Sequence, residues 1–153
     1  MHWWIVLKVP PKIGKTGYGY YDSSLKTGRF TYMDHKIDEG NTPLTKTLAS
    51  INLNNYEHIA WNDEKPNNDT TVSYAHAKGV IAYKNSASRG FFLDHSIPKY
   101  PNYVDSQFSP IISPSQNVYG QHIACFSLSL HELNEVALRL LLTWPFVYAA
   151  KTT

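Results

Sequence analysis

The sequence predicts an α/β fold in which a mixed β-sheet is covered by helices, within one domain that spans residues 1–153. Three observations lead to this prediction. Short apolar runs of strand length alternate with two segments whose apolar residues recur every three or four positions. Aromatic residues make up 14% of the chain, and they favour the pleated faces of strands. The length of 153 residues suits one domain with its own core.

Seven apolar or aromatic segments are predicted as strands, because turn residues bound each of them. They are Trp3–Val9, the hairpin arms at Tyr18–Tyr20 and Arg29–Met33, His58–Trp61, Gly79–Tyr83, Phe91–Asp94 and Gln121–Ser127. The stretch 96–118 carries four prolines and little periodicity. It is therefore predicted to be a long ordered loop rather than a linker.

Two helices are predicted from their start signals and apolar spacing. Thr42 and Pro43 form an N-cap followed by proline at the first helical position, and Leu44, Leu48 and Ile51 then line one face. Ser129 and Glu132 form a capping box for the second helix, which Pro145 ends. Its predicted buried stripe consists of Leu130, Leu133, Val136, Ala137, Leu140 and Leu141.

Composition excludes several classes of protein. Charged residues are only 17% of the chain, which argues against disorder, and no run of about 18 apolar residues predicts a membrane span. A lone cysteine, Cys125, cannot form a disulfide within the chain or complete a zinc site, and it is expected to be buried. No metal or cofactor is predicted.

The net charge of +2 is distributed unevenly along the chain. Residues 1–36 hold six basic against two acidic residues, and residues 65–100 hold five against two. These segments would suit a phosphate backbone if they shared one surface. The alternative is ordinary solvated charge scattered over the molecule.

The segment from His76 to Lys78 carries the most chemical information. Both residues lie at the mouth of a predicted strand, two positions apart, so their side chains are expected on one face. An ammonium can hold a phosphate oxygen while an imidazole attacks phosphorus or transfers a proton. The alternative is a surface histidine and lysine beside a turn.

Six blocks of sequence, taken in order, resemble the amino-terminal half of deoxyribonuclease II, a member of the phospholipase D superfamily. They are Trp3–Pro10, Trp61–Asp63, His76–Val80, His95–Pro98, Tyr119–Gln121 and Trp144–Tyr148. The resemblance implies one phospholipase D-like half domain. Full-length members have two halves, each giving one His-x-Lys motif to a shared site. They cleave DNA without metal at acidic pH through a phosphohistidine intermediate, and they are secreted or lysosomal.

The resemblance also makes His95 a catalytic candidate beside His76 and Lys78. His95 would contact phosphate or orient the first imidazole; alternatively, it is a strand-end histidine bonded to backbone. Asn62 and Asp63 would support the site through hydrogen bonds, although an Asn-Asp pair after a strand is also common in turns.

Two positions outside this cluster also bear on the prediction. Lys84 stands six positions after the motif lysine, where the family often has an acidic residue, so the sequence predicts an opposite charge near the site. Asn68 begins an Asn-Asp-Thr glycosylation sequon, which is meaningful only in a secreted protein.

Two functions remain open at this stage. In the first, the chain keeps a half-site that is catalytically weak or silent as a monomer, and it acts as a secreted protein that binds DNA or a protein partner. In the second, a homodimer joins two His-x-Lys motifs into a metal-independent acid endodeoxyribonuclease. One imidazole cannot be both the attacking base and the protonated acid in one step. An isolated monomer would therefore lack one of the two groups that the reaction needs.

Overall fold

Eight antiparallel strands form the central sheet in the computed structural model, which describes residues 2–11, 16–66 and 73–152. The ten strands are β1 (Trp3–Val9), β2 (Gly17–Asp22), β3 (Thr31–Met33), β4 (Glu57–Asn62), β5 (Lys78–Lys84), β6 (Arg89–His95), β7 (Asn102–Val104), β8 (Gln107–Ser109), β9 (Gln121–Ser129) and β10 (Val147–Lys151). The order across the sheet is β10-β4-β5-β6-β9-β1-β2-β3, while β7 and β8 form a separate hairpin. The two helices are α1 (Pro43–Asn54) and α2 (Leu130–Thr143).

The predicted α/β class is confirmed. The strand pairings show in which directions the strands of the predicted sheet run. Every pairing between neighbouring strands in the described residues is antiparallel. The predicted loop 96–118 contains the β7–β8 hairpin and a short 3-10 turn at Pro114–Gln116. No helix in the described ranges is long and apolar enough to cross a bilayer.

Alternation along the central strands builds one core on each face of the sheet. Val80, Ala82 and Leu93 join the larger core, which also contains the buried α1 residues. Trp61 and Ile81 point the other way and pack with Leu133 of α2. Successive side chains of a strand point to opposite faces, so Lys78 lies on the same face as Val80 and Ala82.

The helix α1 begins and ends as its local sequence predicts. The Thr42 hydroxyl accepts a hydrogen bond from the Thr45 amide, and the Thr45 hydroxyl accepts one from the Thr42 amide. These two bonds form a capping box at the first turn of the helix. The predicted residues Leu44, Leu48 and Ile51 are buried. Asn55 ends the helix in a left-handed conformation.

The helix α2 departs from its prediction at both ends of the predicted stripe, because Leu130 is half-buried and outside the group that packs on the sheet, and Leu141 is exposed. Its Ser129–Glu132 capping box is present, and Leu133, Val136, Ala137 and Leu140 pack on the sheet. Leu141, predicted in the buried stripe, is instead 74% exposed. The sheet covers only the stripe around Leu133, and Leu141 lies past the edge of that stripe, on the side that turns to solvent.

Cys125 is free and buried on β9, as expected, and burial raises the pKa of its thiol to about 12. A thiol with a raised pKa holds little thiolate near neutral pH. Cys125 is therefore part of the core rather than a reactive group.

Replacing Gly79 with alanine is expected to destabilise the fold by about 1–3 kcal/mol. A Cβ on Gly79 would lie 2.5 Å from Cζ2 of Trp61 and 2.7 Å from the Leu93 carbonyl oxygen. Gly120→Ala is the matched control, since its nearest contact would be an ordinary 3.5 Å from Cδ of Pro10. Thermal unfolding measures both variants. Equal melting temperatures for the two would contradict the close packing of Trp61 over Gly79.

Candidate active site

One carboxylate joins the two residues of the His-x-Lys motif. Asp63 directly follows β4, and Lys78 opens the adjacent strand β5, where it pairs with Asn62. Oδ2 of Asp63 lies 2.6 Å from Nδ1 of His76, and Nζ of Lys78 donates to Oδ1 of the same carboxylate. We call His76, Asp63 and Lys78 the His–Asp–Lys cluster.

The three side chains of the cluster differ sharply in exposure. The His76 side chain is 84% exposed, whereas Asp63 and Lys78 are 13% and 4% exposed. Burial alone would raise the pKa of Asp63, but the hydrogen bonds and charges of Lys78 and His76 outweigh it and keep that pKa below its usual value. Asp63 is therefore a carboxylate that compensates the buried ammonium and holds the exposed ring.

The hydrogen bond to Asp63 favours one tautomer of a neutral His76 ring. A neutral imidazole that donates from Nδ1 to a carboxylate carries its lone pair on Nε2. Within the described residues, Nε2 of His76 has no hydrogen-bond partner. The ring is thus oriented from beneath and presents an available nitrogen to solvent.

The prediction that Lys84 places an opposite charge near the site is wrong. Lys78 and Lys84 occupy the two ends of β5. Six residues of strand separate them by about 20 Å, which is too far for direct interaction. The acidic partner of the motif comes instead from Asp63, at the end of the neighbouring strand.

His95 is buried at the end of β6, the strand next to the one that Lys78 opens. Because Gly79 pairs with Asp94, the next register position brings His95 opposite Lys78. His95 is buried, and its Nδ1 accepts a 3.2 Å hydrogen bond from the Ile97 amide. Its Nε2 is buried with no partner in the part of the chain that is described.

The environment of His95 keeps its ring neutral. Burial, then the positive charge of Lys78, lowers the pKa of His95 to about 3. With Nδ1 accepting from backbone, the proton of the neutral ring resides on Nε2. His95 therefore offers a neutral donor, and it is not a protonated acid at mildly acidic pH.

Asn62 holds the loop that follows His95. It is fully buried, and its Nδ2 donates to the carbonyl oxygens of Ile97 at 3.1 Å and Tyr100 at 2.9 Å. Its Oδ1 accepts from the Glu64 amide at 2.9 Å. These bonds connect the end of β4 to the segment after β6, and they hold together the strand ends where the cluster lies.

Asn68 is the remaining predicted position, and His122 is a position that the sequence did not single out. Asn68, the predicted glycosylation site, lies outside the described residues. His122 had no supporting context in the sequence, yet its Nε2 lies 3.2 Å from Oδ2 of Asp94. These two side chains meet through the register of β6 on β9, which the sequence does not show. Among residues 2–11, 16–66 and 73–152, no three His, Cys, Asp or Glu side chains are grouped to hold a metal ion.

Stability is expected to fall as pH drops from about 7 toward 4. The pKa of His95 is lowered from 6.5 to about 3, so the unfolded chain binds a proton that the folded chain excludes. Stability is therefore lost as pH falls below 6.5, with a slope approaching about 1.4 kcal/mol per pH unit for one proton. Burial also lowers the pKa of His58, which acts in the same direction.

Urea unfolding across this pH range measures the slope. His95→Asn should flatten it, whereas His131→Asn, at an exposed position on α2, should leave it unchanged. A wild-type stability that does not vary between pH 7 and 4 would contradict a buried neutral His95.

The fold and cluster define an α/β protein with one His-x-Lys motif that a carboxylate holds at the end of two internal strands. The family model for deoxyribonuclease II matches residues 1–153, and the chain belongs to that family. It is 26% identical over 96% of its length to Deoxyribonuclease-2-beta of Rattus norvegicus, covering 43% of that protein. It is 30% identical over 95% of its length to Cell death-related nuclease 6 of Caenorhabditis elegans, covering 40% of it.

A bacterial relative gives the same result. A Putative deoxyribonuclease-2 of Burkholderia pseudomallei is 29% identical over 97% of the chain and 45% of the relative. The chain thus spans less than half the length of the curated relatives that it matches.

Proposed function

We propose that this chain supplies one half of a DNA phosphodiesterase site, and that a second copy completes it. The observation that carries the proposal is the His–Asp–Lys cluster, which combines an exposed, oriented imidazole with a buried cation. Membership of the deoxyribonuclease II family and the names of its relatives support DNA as the substrate. The proposal places the protein in a secreted or lysosomal compartment.

In the proposed reaction, Nε2 of His76 attacks phosphorus and forms a phosphorus–nitrogen bond while the bond to the leaving oxygen breaks. The leaving oxygen takes a proton from an acid on the opposite side. Water then attacks the phosphohistidine, its proton returns to the group that protonated the leaving oxygen, and the phosphorus–nitrogen bond breaks to release the phosphate monoester and a free imidazole. Asp63 stabilises the imidazolium character that develops on His76 during attack.

Lys78 contributes charge rather than an open binding arm. Its ammonium was expected to hold a phosphate oxygen, but it is paired with Asp63 and buried. An ammonium has three donors, and the bond to Asp63 uses one of them. The positive charge of Lys78, which shares the Asp63 carboxylate with His76, favours an approaching phosphate.

The missing component in one copy is the acid. The leaving oxygen needs a proton while His76 is unprotonated, and His95 is neutral and buried. We therefore expect the isolated monomer to bind DNA weakly through its basic segments and to show little turnover. This is the binding function of the first hypothesis, and it describes the same chain before pairing.

An apolar surface beside the cluster suits a second copy. Leu138, Leu141, Leu142 and Trp144 are between 49% and 84% exposed and form what we call the α2 outer surface. Trp144 is continuous with the motif, because its carbonyl accepts from the Ala75 amide at 3.2 Å. Pairing through this surface would bury apolar area and bring a second His76 toward the first.

The proposal predicts that DNA nicking needs His76 and rises with the square of protein concentration at low occupancy. Supercoiled plasmid is incubated with the protein at mildly acidic pH, in chelator and separately with divalent metal. His76→Ala should abolish nicking, whereas His131→Ala should retain it. Leu141→Lys should weaken both self-association, measured by sedimentation, and nicking.

Three results would contradict this proposal in different ways. Nicking that persists in His76→Ala would remove the motif from the reaction. Nicking that is linear in concentration for a species sedimenting as a monomer would remove the shared site. Binding of DNA that does not weaken with added salt would contradict an electrostatic contact.

A further inference from the structure

A second cleft lies at the end of the sheet opposite the His–Asp–Lys cluster. It has a volume of about 290 Å³ and lies between the β1–β2 ladder and α1, with Phe91 and Cys125 among the residues that line it. The length of the strands separates the two sites. β1 begins at Trp3 in the cleft, and it ends beside the start of β9, at the end of the sheet where the cluster lies. The proposed nuclease reaction uses no residue of this cleft.

Aromatic side chains form part of the cleft wall. Trp4 and Tyr20 lie on adjacent antiparallel strands, and Phe91 joins them. Trp4 and Tyr20 are only partly buried against the core, so part of each remains accessible. Such rings offer flat apolar surface and a polar edge at little conformational cost.

A fixed carboxylate provides the charge of the cleft. Oδ2 of Asp22 accepts from the Tyr20 hydroxyl at 2.6 Å. Oδ1 accepts from the Ser24 hydroxyl at 2.6 Å, the Ser24 amide at 2.7 Å and the Leu25 amide at 3.2 Å, so Oδ2 is the oxygen that can accept a further bond. The bonds from Ser24 and Tyr20 lower the pKa of Asp22 to about 2. A permanent carboxylate accepts hydrogen bonds from hydroxyl groups and disfavours an anionic ligand.

Three polar groups of the residues that line the cleft make no hydrogen bond within the described part of the chain. Within the described ranges, neither the Thr47 hydroxyl, the Ser127 hydroxyl nor the Trp4 indole N–H has a hydrogen-bond partner. They line the same cleft as the aromatic rings and Asp22. A ligand that stacks on the rings would thus also meet two hydroxyls and one N–H donor.

We propose that this cleft binds the ring of a neutral sugar. The apolar face of such a ring would lie against Trp4 and Tyr20, and its hydroxyl groups would bond to Asp22, Thr47 and Ser127. The shared chemistry is a hydroxyl-bearing saturated ring, from a glycan or from a nucleoside. Small ligands of this size bind with a dissociation constant of about 1 mM, so the test must reach millimolar concentrations.

The test is a titration of the full chain followed by ¹H–¹⁵N correlation spectra. The probes are methyl glucoside, N-acetylglucosamine, thymidine and thymidine monophosphate. Saturable shifts are expected at the Trp4 indole and at the Thr47 and Ser127 amides, with none at His76. The glycosides and the nucleoside distinguish the two sources of the ring, and binding of either class supports the proposal.

Variants that keep the fold make the test specific. Thr47→Val with Ser127→Ala removes both free hydroxyls and should weaken binding about tenfold, the effect of losing about 1.4 kcal/mol. Thr143→Val, on the distant end of α2, should leave it unchanged. Three results would overturn the proposal: no saturable shift for any probe, shifts that cluster around His76 instead, or tighter binding of thymidine monophosphate than of thymidine.

Discussion

Asp63→Asn is expected to lower the free energy of unfolding by about 3 kcal/mol, because it leaves the buried Lys78 ammonium without its counter-charge. Lys78 is 4% exposed, and Asp63 is the acidic group that contacts it in the described structure. The substituted amide keeps the shape of the carboxylate and loses its charge. The same change removes the anion that orients His76, so nicking by any paired species should fall as well.

Urea unfolding at neutral pH measures the loss. Asp94→Asn is the matched control, since it removes the charge of Asp94, which is 44% exposed, from its pair with His122, which is 50% exposed. That variant should cost less than about 1 kcal/mol. Adding Lys78→Met to Asp63→Asn should recover part of the stability, because the uncompensated charge is then absent. Equal losses for Asp63→Asn and Asp94→Asn would refute the buried ion pair.

Asn62→Ala is expected to cost about 3 kcal/mol, from about 1 kcal/mol for each of three hydrogen bonds. Asn62 is fully buried, and no solvent replaces its bonds to Ile97, Tyr100 and Glu64. Asn62→Asp should cost more, since a carboxylate would face two carbonyl oxygens that now accept from the amide. The substitution should also loosen the segment after His95, and with it the edge of the site.

Amide hydrogen exchange separates this local effect from global destabilisation. In Asn62→Ala, exchange at Ile97 and Lys99 should accelerate more than exchange in α1. The control is Asn54→Ala, which removes one exposed bond to the Ser50 carbonyl. It should change stability by well under 1 kcal/mol. If Asn62→Ala and Asn54→Ala unfold at the same urea concentration, the bridge from β4 to the segment after β6 has no energetic role.

Features that depend on neighbouring residues were predictable from the sequence. The caps at Thr42 and Ser129 place both helix starts, because a cap is satisfied by amides within three residues. The strand cores follow from apolar runs bounded by turn residues. The His-x-Lys motif is local as well, so His76 and Lys78 were found together, and the resemblance gave them a chemical interpretation.

Features that depend on strand order were less accessible. Lys84 is close to the motif in sequence but lies at the far end of β5, whereas Asp63, at the end of β4, reaches both motif residues. Asp94 and His122 meet only through the β6–β9 register. Leu141 fits the helical period, and only the width of the sheet beneath α2 leaves it in solvent.

The sequence by itself determined the fold class, the family, the capped helices and the His76–Lys78 motif, since each depends on local pattern or on motifs in a fixed order. Only the tertiary structure decided which carboxylate holds that pair, that Lys78 is covered while His76 is open, and that His95 is neutral. The physical reason is that burial and pairing between strands set charge compensation and pKa, and they arise only when distant segments become neighbours.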